Sequence, residues 1–285
     1  MKFRKLISDQ TQKLGLKVIN LMARSSCYSV QQHRYGEDER HQYDCYLHND
    51  QSDDRPNVIF LYGGNWQSGE RADYRFVADT LCLQGFNAYI PDYRLYPHVR
   101  FFEILEDVRR AIDTIMDNIT SGPIFIMGHS AGAQIGALMA LDKRLLDDAQ
   151  RISGFIGLAG PYDFYPFTED LHWDIFSPEE QYANSQPVNF VRADAPPLYL
   201  LHGEDDKRVR RGHSKSLMEK QQNVGGYARR EVYKKLGHVD ILLSLTRMQR
   251  QKSVVLEDIR QFILEHSIDE TGDYLVEETH SSKSV

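Results

Sequence analysis

Cysteine is scarce in this chain, with three in 285 residues: Cys27, Cys45 and Cys82. An odd number so widely spaced excludes a disulfide framework, and no two of them have the spacing of a metal site. Long apolar runs are also missing; none approaches the roughly 18 residues that a membrane-spanning helix needs. Nor is there an excess of positive charge. Lys and Arg number 34 against 41 Asp and Glu, a net charge of −7, which argues against a nucleic-acid partner, since such proteins show a basic face. Internal repeats and linkers that would divide a core are absent too. What is present is the composition of a soluble globular protein, 41% hydrophobic and 26% charged, and the few thiols suit a reducing cytoplasm.

The first residues, Lys2, Arg4 and Lys5, have the basic character of a signal peptide, but Asp9, Gln10, Gln12 and Lys13 interrupt any apolar core. Phe3, Ile7, Leu14, Val18 and Leu21 recur at helical spacing instead. An amphipathic helix is expected over 1–27, packed on the main domain or acting as a membrane-surface or gating element. From residue 28 to 266, short apolar runs alternate with helical stripes, which predicts one doubly wound α/β domain with a mostly parallel sheet. Tyr28 to Tyr46 carries two strand patterns around the turn Tyr35-Gly-Glu-Asp38. Further strands are read at 58–62, 87–90, 123–127, 154–158, 197–201 and 230–233. Phe101, Leu105, Val108, Ile112 and Ile115 mark the clearest helix. Residues 161–194 are aromatic-rich and show neither period; an excursion of that length is expected to form a lid or cap. Beyond 266 the chain turns polar and acidic, the composition of a loose tail.

The stretch with the sharpest chemical meaning is Gly128-His-Ser-Ala-Gly132, between the strand 123–127 and a run of helix formers from Ala133 to Leu141. G-x-S-x-G in that setting is the nucleophile elbow. Its turn holds Ser130 in a strained backbone conformation with the hydroxyl above the sheet, and side chains at 128 and 132 would collide with the turn. A glycine-rich turn with an incidental serine is the competing reading; strand before, helix after and partners downstream speak against it. A serine needs a base, and the base an orienting carboxylate, in the chain order serine, acid, histidine for this fold. Glu204, Asp205 and Asp206 compete for the acid, all just beyond the strand 197–201. Of eleven histidines, His238 follows the last strand and is the expected base. His129 within the elbow is expected to point away from Ser130, and His202 to be a packing residue. Gly63 and Gly64, with Asn65, follow a strand end and can offer N–H groups to an oxyanion opposite the N–H of Ala131. Trp66, His129, Tyr162 and Phe164 are candidate walls of a substrate pocket, together with Tyr165, Phe167 and Trp173; they serve equally well as core of the excursion.

Taken together, these segments resemble the α/β-hydrolase superfamily and, within it, the hormone-sensitive-lipase-like and feruloyl-esterase-type carboxylesterases. Tyr62-Gly-Gly-Asn-Trp66 is similar to their H-G-G-G-W oxyanion motif, and Tyr93-Arg-Leu-Tyr-Pro97 to Y-R-L-x-P. His202 to Val209 fits H-G-x-x-D-x-x-V, which implies Asp206 as the triad acid, and Gly237-His238 fits the G-H that carries the base. Tyr62 stands where the family has histidine, and Asn65 where it has a third glycine. The resemblance implies a serine hydrolase that cleaves esters of short to medium acyl chains through an acyl-enzyme, with no cofactor and a small-molecule ester as its partner. Cytoplasmic location and a monomer or homodimer are the matching expectations. Gly-Gly-x-Trp is similar to arylformamidases as well, which hydrolyse N-formylkynurenine, and a non-catalytic binding protein on the same fold is the alternative from another class.

Overall fold

In the computed structural model, residues 15–16, 19–23, 25–50, 52 and 54–267 are described. Eight strands form one sheet in the order β1-β2-β4-β3-β5-β6-β7-β8. In chain order they are β1 (Tyr28–Arg34), β2 (Gln42–His48), β3 (Asn57–Leu61), β4 (Asn87–Pro91), β5 (Ile124–His129), β6 (Ile152–Leu158), β7 (Leu198–Gly203) and β8 (Ala228–Tyr233). β1 and β2 make the expected antiparallel hairpin, β2 joins β4 antiparallel, and every later pairing is parallel. Consecutive strand residues point to opposite faces, and every residue of β3, β5 and β7 is buried. Both faces of the central sheet are therefore covered, which is why these strands read as continuous apolar runs instead of alternating ones.

The helices are α1 (Arg75–Leu83), α2 (Phe101–Asn118), α3 (Ala131–Leu141), α4 (Asp170–Ile175), α5 (Gly212–Asn223), α6 (Asp240–Leu243) and α7 (Val254–Glu265). In α2 the stripe Phe101, Ile104, Leu105, Val108, Ala111, Ile112 and Ile115 is buried, as its 3.6 period requires, and Glu103 caps the Arg100 N–H at 3.0 Å. All eleven residues of α3 are buried, because it packs against β3, β5 and β6 beneath the excursion. The chain passes from β3 out to β4 and then back across β3 to β5, so the strand order reverses between β3 and β5. Crevices for ligands open at the carboxyl ends of such a switch point.

Residues 161–194 form no strand; they contain α4 and short 3-10 turns at Glu179–Ser185 and Pro187–Asn189. Most of the expected N-terminal helix and nearly all of the acidic tail lie outside the described residues. Residues 15–16 and 19–22 are helical, with Leu16 and Ile19 packed on the core. Leu21, read as part of the buried stripe, is 65% exposed. The inward face at this point is thus set by Leu16 and Ile19. All three cysteines are free, and among the described residues no helix is long and apolar enough to cross a membrane.

Candidate active site

Ser130 sits at φ 54°, ψ −121°, between the end of β5 and the start of α3. That conformation is costly for a residue with a Cβ and persists only where the surroundings impose it. Here a close approach imposes it: a Cβ on Gly132 would lie 2.1 Å from the Leu61 carbonyl oxygen and 2.5 Å from that of Tyr62. Only glycine lets the elbow seat itself against the end of β3.

Ser130 Oγ lies 2.9 Å from His238 Nε2, and His238 Nδ1 lies 2.8 Å from Asp206 Oδ2. A carboxylate only accepts, so Nδ1 carries the imidazole proton and bare Nε2 accepts from the serine hydroxyl. Asp206 is thereby distinguished from its neighbours; Glu204 and Asp205 are exposed. Its other oxygen, Oδ1, accepts the N–H groups of Arg208 at 2.8 Å and Val209 at 2.9 Å. Burial alone would raise the Asp206 pKa, but hydrogen bonds from His202, His238 and Val209 outweigh it and hold the carboxyl far below its usual range.

His202 is more than the packing residue expected. Its Nε2 is 3.1 Å from Asp206 Oδ2 and 3.0 Å from the Val209 carbonyl oxygen, with its side chain fully buried. Both partners are acceptors, so Nε2 carries a proton and shares it. One carboxylate oxygen is therefore held by two imidazoles. The signal was present in the sequence as the histidine four positions before Asp206, but nothing in the spacing says which way its ring turns.

The strand-end loop after β3 is pressed onto the elbow, since a Cβ on Gly63 would fall 2.9 Å from Ser130 Cβ. Gly64, Asn65 and Trp66 all have positive φ, at 145°, 54° and 60°. The loop closes on itself through Gln67 and Ser68 N–H groups, both donating to the Gly64 carbonyl at 3.1 Å. Among the described residues, no loop hydrogen bond uses the N–H of Gly64 or Asn65. The Ala131 N–H, first in α3, has no partner within a helix.

Tyr62 is what holds this loop from below. It is fully buried and stacks between Tyr74 and Tyr93, with ring centroids at 5.2 and 4.7 Å. Its hydroxyl donates to Asp92 Oδ1 at 2.7 Å and accepts from Arg40 at 2.9 Å. Asp92 is in turn held by Arg71 through the backbone N–H at 2.7 Å and the guanidinium at 2.5 Å. Tyr93 of the Y-R-L-x-P motif donates to the Tyr62 carbonyl at 2.7 Å, and Arg94 forks onto Asp107 at 2.8 and 2.7 Å. That motif is thus a brace under the loop, away from the reacting centre.

A cavity of about 920 Å³ opens over Ser130 and His238. Trp66, His129 and Phe164 are among the residues that line it. Tyr162 does not: it is fully buried against Phe155, in the core below, because its ring fills the space over Gly157. Of the other aromatics of the excursion, Tyr165 reaches the cavity, Phe167 is buried in the aromatic packing around Phe176, and Trp173 is 39% exposed. Trp66 is fixed by a tie that the sequence did not reveal. Its indole N–H donates to Gln134 Oε1 at 3.0 Å, and the Gln134 amide donates to the Ser185 carbonyl at 2.6 Å.

His129 forms a side wall, its Nε2 donating to the His238 carbonyl at 3.0 Å. Burial, then the neighbouring His238, pushes its pKa down from 6.5 to about 3. The native state therefore takes up this proton only near pH 3, whereas the unfolded chain takes it up near 6.5. Stability from this group is complete above about pH 6.5 and declines as pH falls, by at most ~1.4 kcal/mol per pH unit. His129→Gln keeps a donor for the His238 carbonyl but removes the proton uptake. Urea unfolding at pH 7 and pH 5 should show a smaller acid loss in the variant; an equal loss would disprove the assignment.

Residues 43–221, more than half of the chain, match the family described as BD-FAE. An isoprenylcysteine alpha-carbonyl methylesterase (ICME) of Arabidopsis thaliana is 26% identical over 268 residues, covering 84% of this chain and 62% of its own. A kynurenine formamidase of Danio rerio is 31% identical over 147 residues, 50% of each chain. The chain thus spans 62% and 50% of these two relatives' lengths. A solved structure described as a truncated carbohydrate esterase from gut microbiota superposes with a TM-score of 0.73 at 20% identity, over 86% of this chain and 98% of that one. With the elbow, the parallel sheet and the match over residues 43–221 in agreement, this chain belongs to the BD-FAE family and has the α/β-hydrolase fold.

Proposed function

We propose that the chain is a serine carboxylesterase acting on small-molecule esters of short to medium acyl chain. The observation that carries the reading is the line of hydrogen bonds from Ser130 Oγ through His238 to Asp206, at 2.9 and 2.8 Å. His238 takes the hydroxyl proton as Ser130 attacks the ester carbonyl, and Asp206 stabilises the imidazolium. N–H groups of Gly64, Asn65 and Ala131 hold the oxyanion, with Gly63 giving the loop its close approach. His238 then gives its proton to the leaving alkoxide, and water, deprotonated by the same imidazole, releases the acid. No step calls for a cofactor. The family and the named esterases among its relatives support this reading.

A second reading has its own support: the Gly63-Gly64-Asn65-Trp66 loop and the 31% identity to a kynurenine formamidase. The same triad would cleave a formamide, because attack at a formyl carbon needs the same oxyanion and the same proton transfers. The test is a 4-nitrophenyl ester series from acetate to palmitate, run beside N-formylkynurenine. We expect turnover greatest on the shorter esters. Efficient turnover of N-formylkynurenine with inert esters would transfer the reading to the formamidase, and inertness toward both, in folded protein, would leave the binding-protein alternative.

A further inference from the structure

The turn that carries Asp206 is pinned from both sides. Asp206 Oδ1 holds the N–H groups of Arg208 and Val209, and His202 holds the Val209 carbonyl. Residues 208–210 are thus carried at a fixed distance from His238, and both Arg208 and Arg210 line the cavity over Ser130. Neither guanidinium makes an ion pair or a hydrogen bond to any described residue, whereas Arg211 of the same turn faces Glu204 at 4.0 Å. Of the acids on the cavity wall, Asp163 is engaged and Asp73 buried, while Glu169 is exposed beside His172. Asp163 accepts from Ser216 and lies 3.7 Å from Lys220; Glu169 lies 3.7 Å from His172; Asp73 is 8% exposed. In a chain of net charge −7, two exposed cations without a partner among the described residues thus line the cavity over Ser130. The same cavity wall includes Phe164, Leu242 and Val209, apolar surface against which a bound anion would feel the cations more strongly than in open water. A guanidinium is weakly hydrated, and its planar fork matches a carboxylate.

We propose that Arg208 and Arg210 form an anion subsite, and that the preferred substrates are esters bearing a carboxylate near the scissile bond. This rests on the esterase reading and adds to it the charge of the substrate. Two matched pairs test it: 4-nitrophenyl hemisuccinate against 4-nitrophenyl valerate, with the charge on the acyl side, and 4-acetoxybenzoate against its methyl ester, with the charge on the alcohol side. In at least one pair the charged ester should have a kcat/KM about tenfold higher at low salt, carried by KM. The advantage should fade toward 1 M salt, where the screening length is about 3 Å. In the double variant Arg208→Gln, Arg210→Gln the ratio should fall to about one. Calorimetric binding of the same pairs to Ser130→Ala reads the preference without turnover. Tighter binding of a charged ester there, with no hydrolysis by the wild type, would sink the esterase reading and leave the subsite standing. Equal or weaker binding of both charged esters, or a ratio that the double variant leaves unchanged, would overturn the subsite.

Discussion

Alanine at Ser130 is expected to lower kcat by about 10⁴–10⁶-fold while the ester still binds. The hydroxyl is the group from which His238 can take a proton, at 2.9 Å, and without it the imidazole can only activate water from a poorer position. What survives is the stabilisation by the oxyanion N–H groups, worth a residual acceleration over water. Folding should be little altered. Alanine shares with serine the cost of φ 54° at this turn, so no strain is relieved, and the methyl group fits where the Cβ already sits. The comparison therefore separates two classes of protein. An enzyme keeps its affinity and loses its turnover; a protein that only binds would show neither change, and retained hydrolysis would move the nucleophile elsewhere.

Asparagine at Asp206 is expected to reduce kcat by about 10⁴-fold, and here stability should fall too. The carboxylate accepts on both oxygens: His238 and His202 meet at Oδ2, the Arg208 and Val209 N–H groups at Oδ1. An amide has one oxygen and one NH₂. If the NH₂ faces the imidazoles, two donors meet a donor and His238 must change tautomer, which removes the bare Nε2 that Ser130 needs. If it faces the backbone, two fixed N–H groups lose their acceptor. Either orientation leaves donors unpaired, at about 1–3 kcal/mol for each one that water does not reach. The check is kcat together with the midpoint of urea unfolding. Full activity in the asparagine variant would exclude Asp206 as the orienting acid, and unchanged stability would exclude the double imidazole clamp.

The strands and helices of the core were legible because burial on both faces or on one face leaves its period in the residue order. The pairing of Ser130 with His238 was legible because the elbow is a local motif and chain order puts this histidine after the last strand. Asp206 was not separable from Glu204 and Asp205 by any local signal; only the fit to H-G-x-x-D and then the inward turn of its side chain distinguish it. Tyr162 was misplaced for a related reason. An aromatic run announces burial but not which rings face a cavity and which face the sheet, and that choice depends on the space over Gly157, far off in sequence. Gln134, His202 and the Tyr62–Asp92–Arg71 brace act across 21 residues or more, or through a ring orientation, where neither spacing nor composition carries information.

The Trp66–Gln134–Ser185 tie makes the excursion part of the frame. The loop that carries Trp66, the helix behind the elbow and residues 161–194 share one buried chain of hydrogen bonds, so swinging the excursion outward would take from the Gln134 amide its acceptor, the Ser185 carbonyl. Access to Ser130 is accordingly through the standing mouth of the cavity. It also follows that 161–194 is not an exchangeable cassette: a transplant meant to reshape the cavity would have to carry Trp66 and Gln134 with it, as a single inherited module.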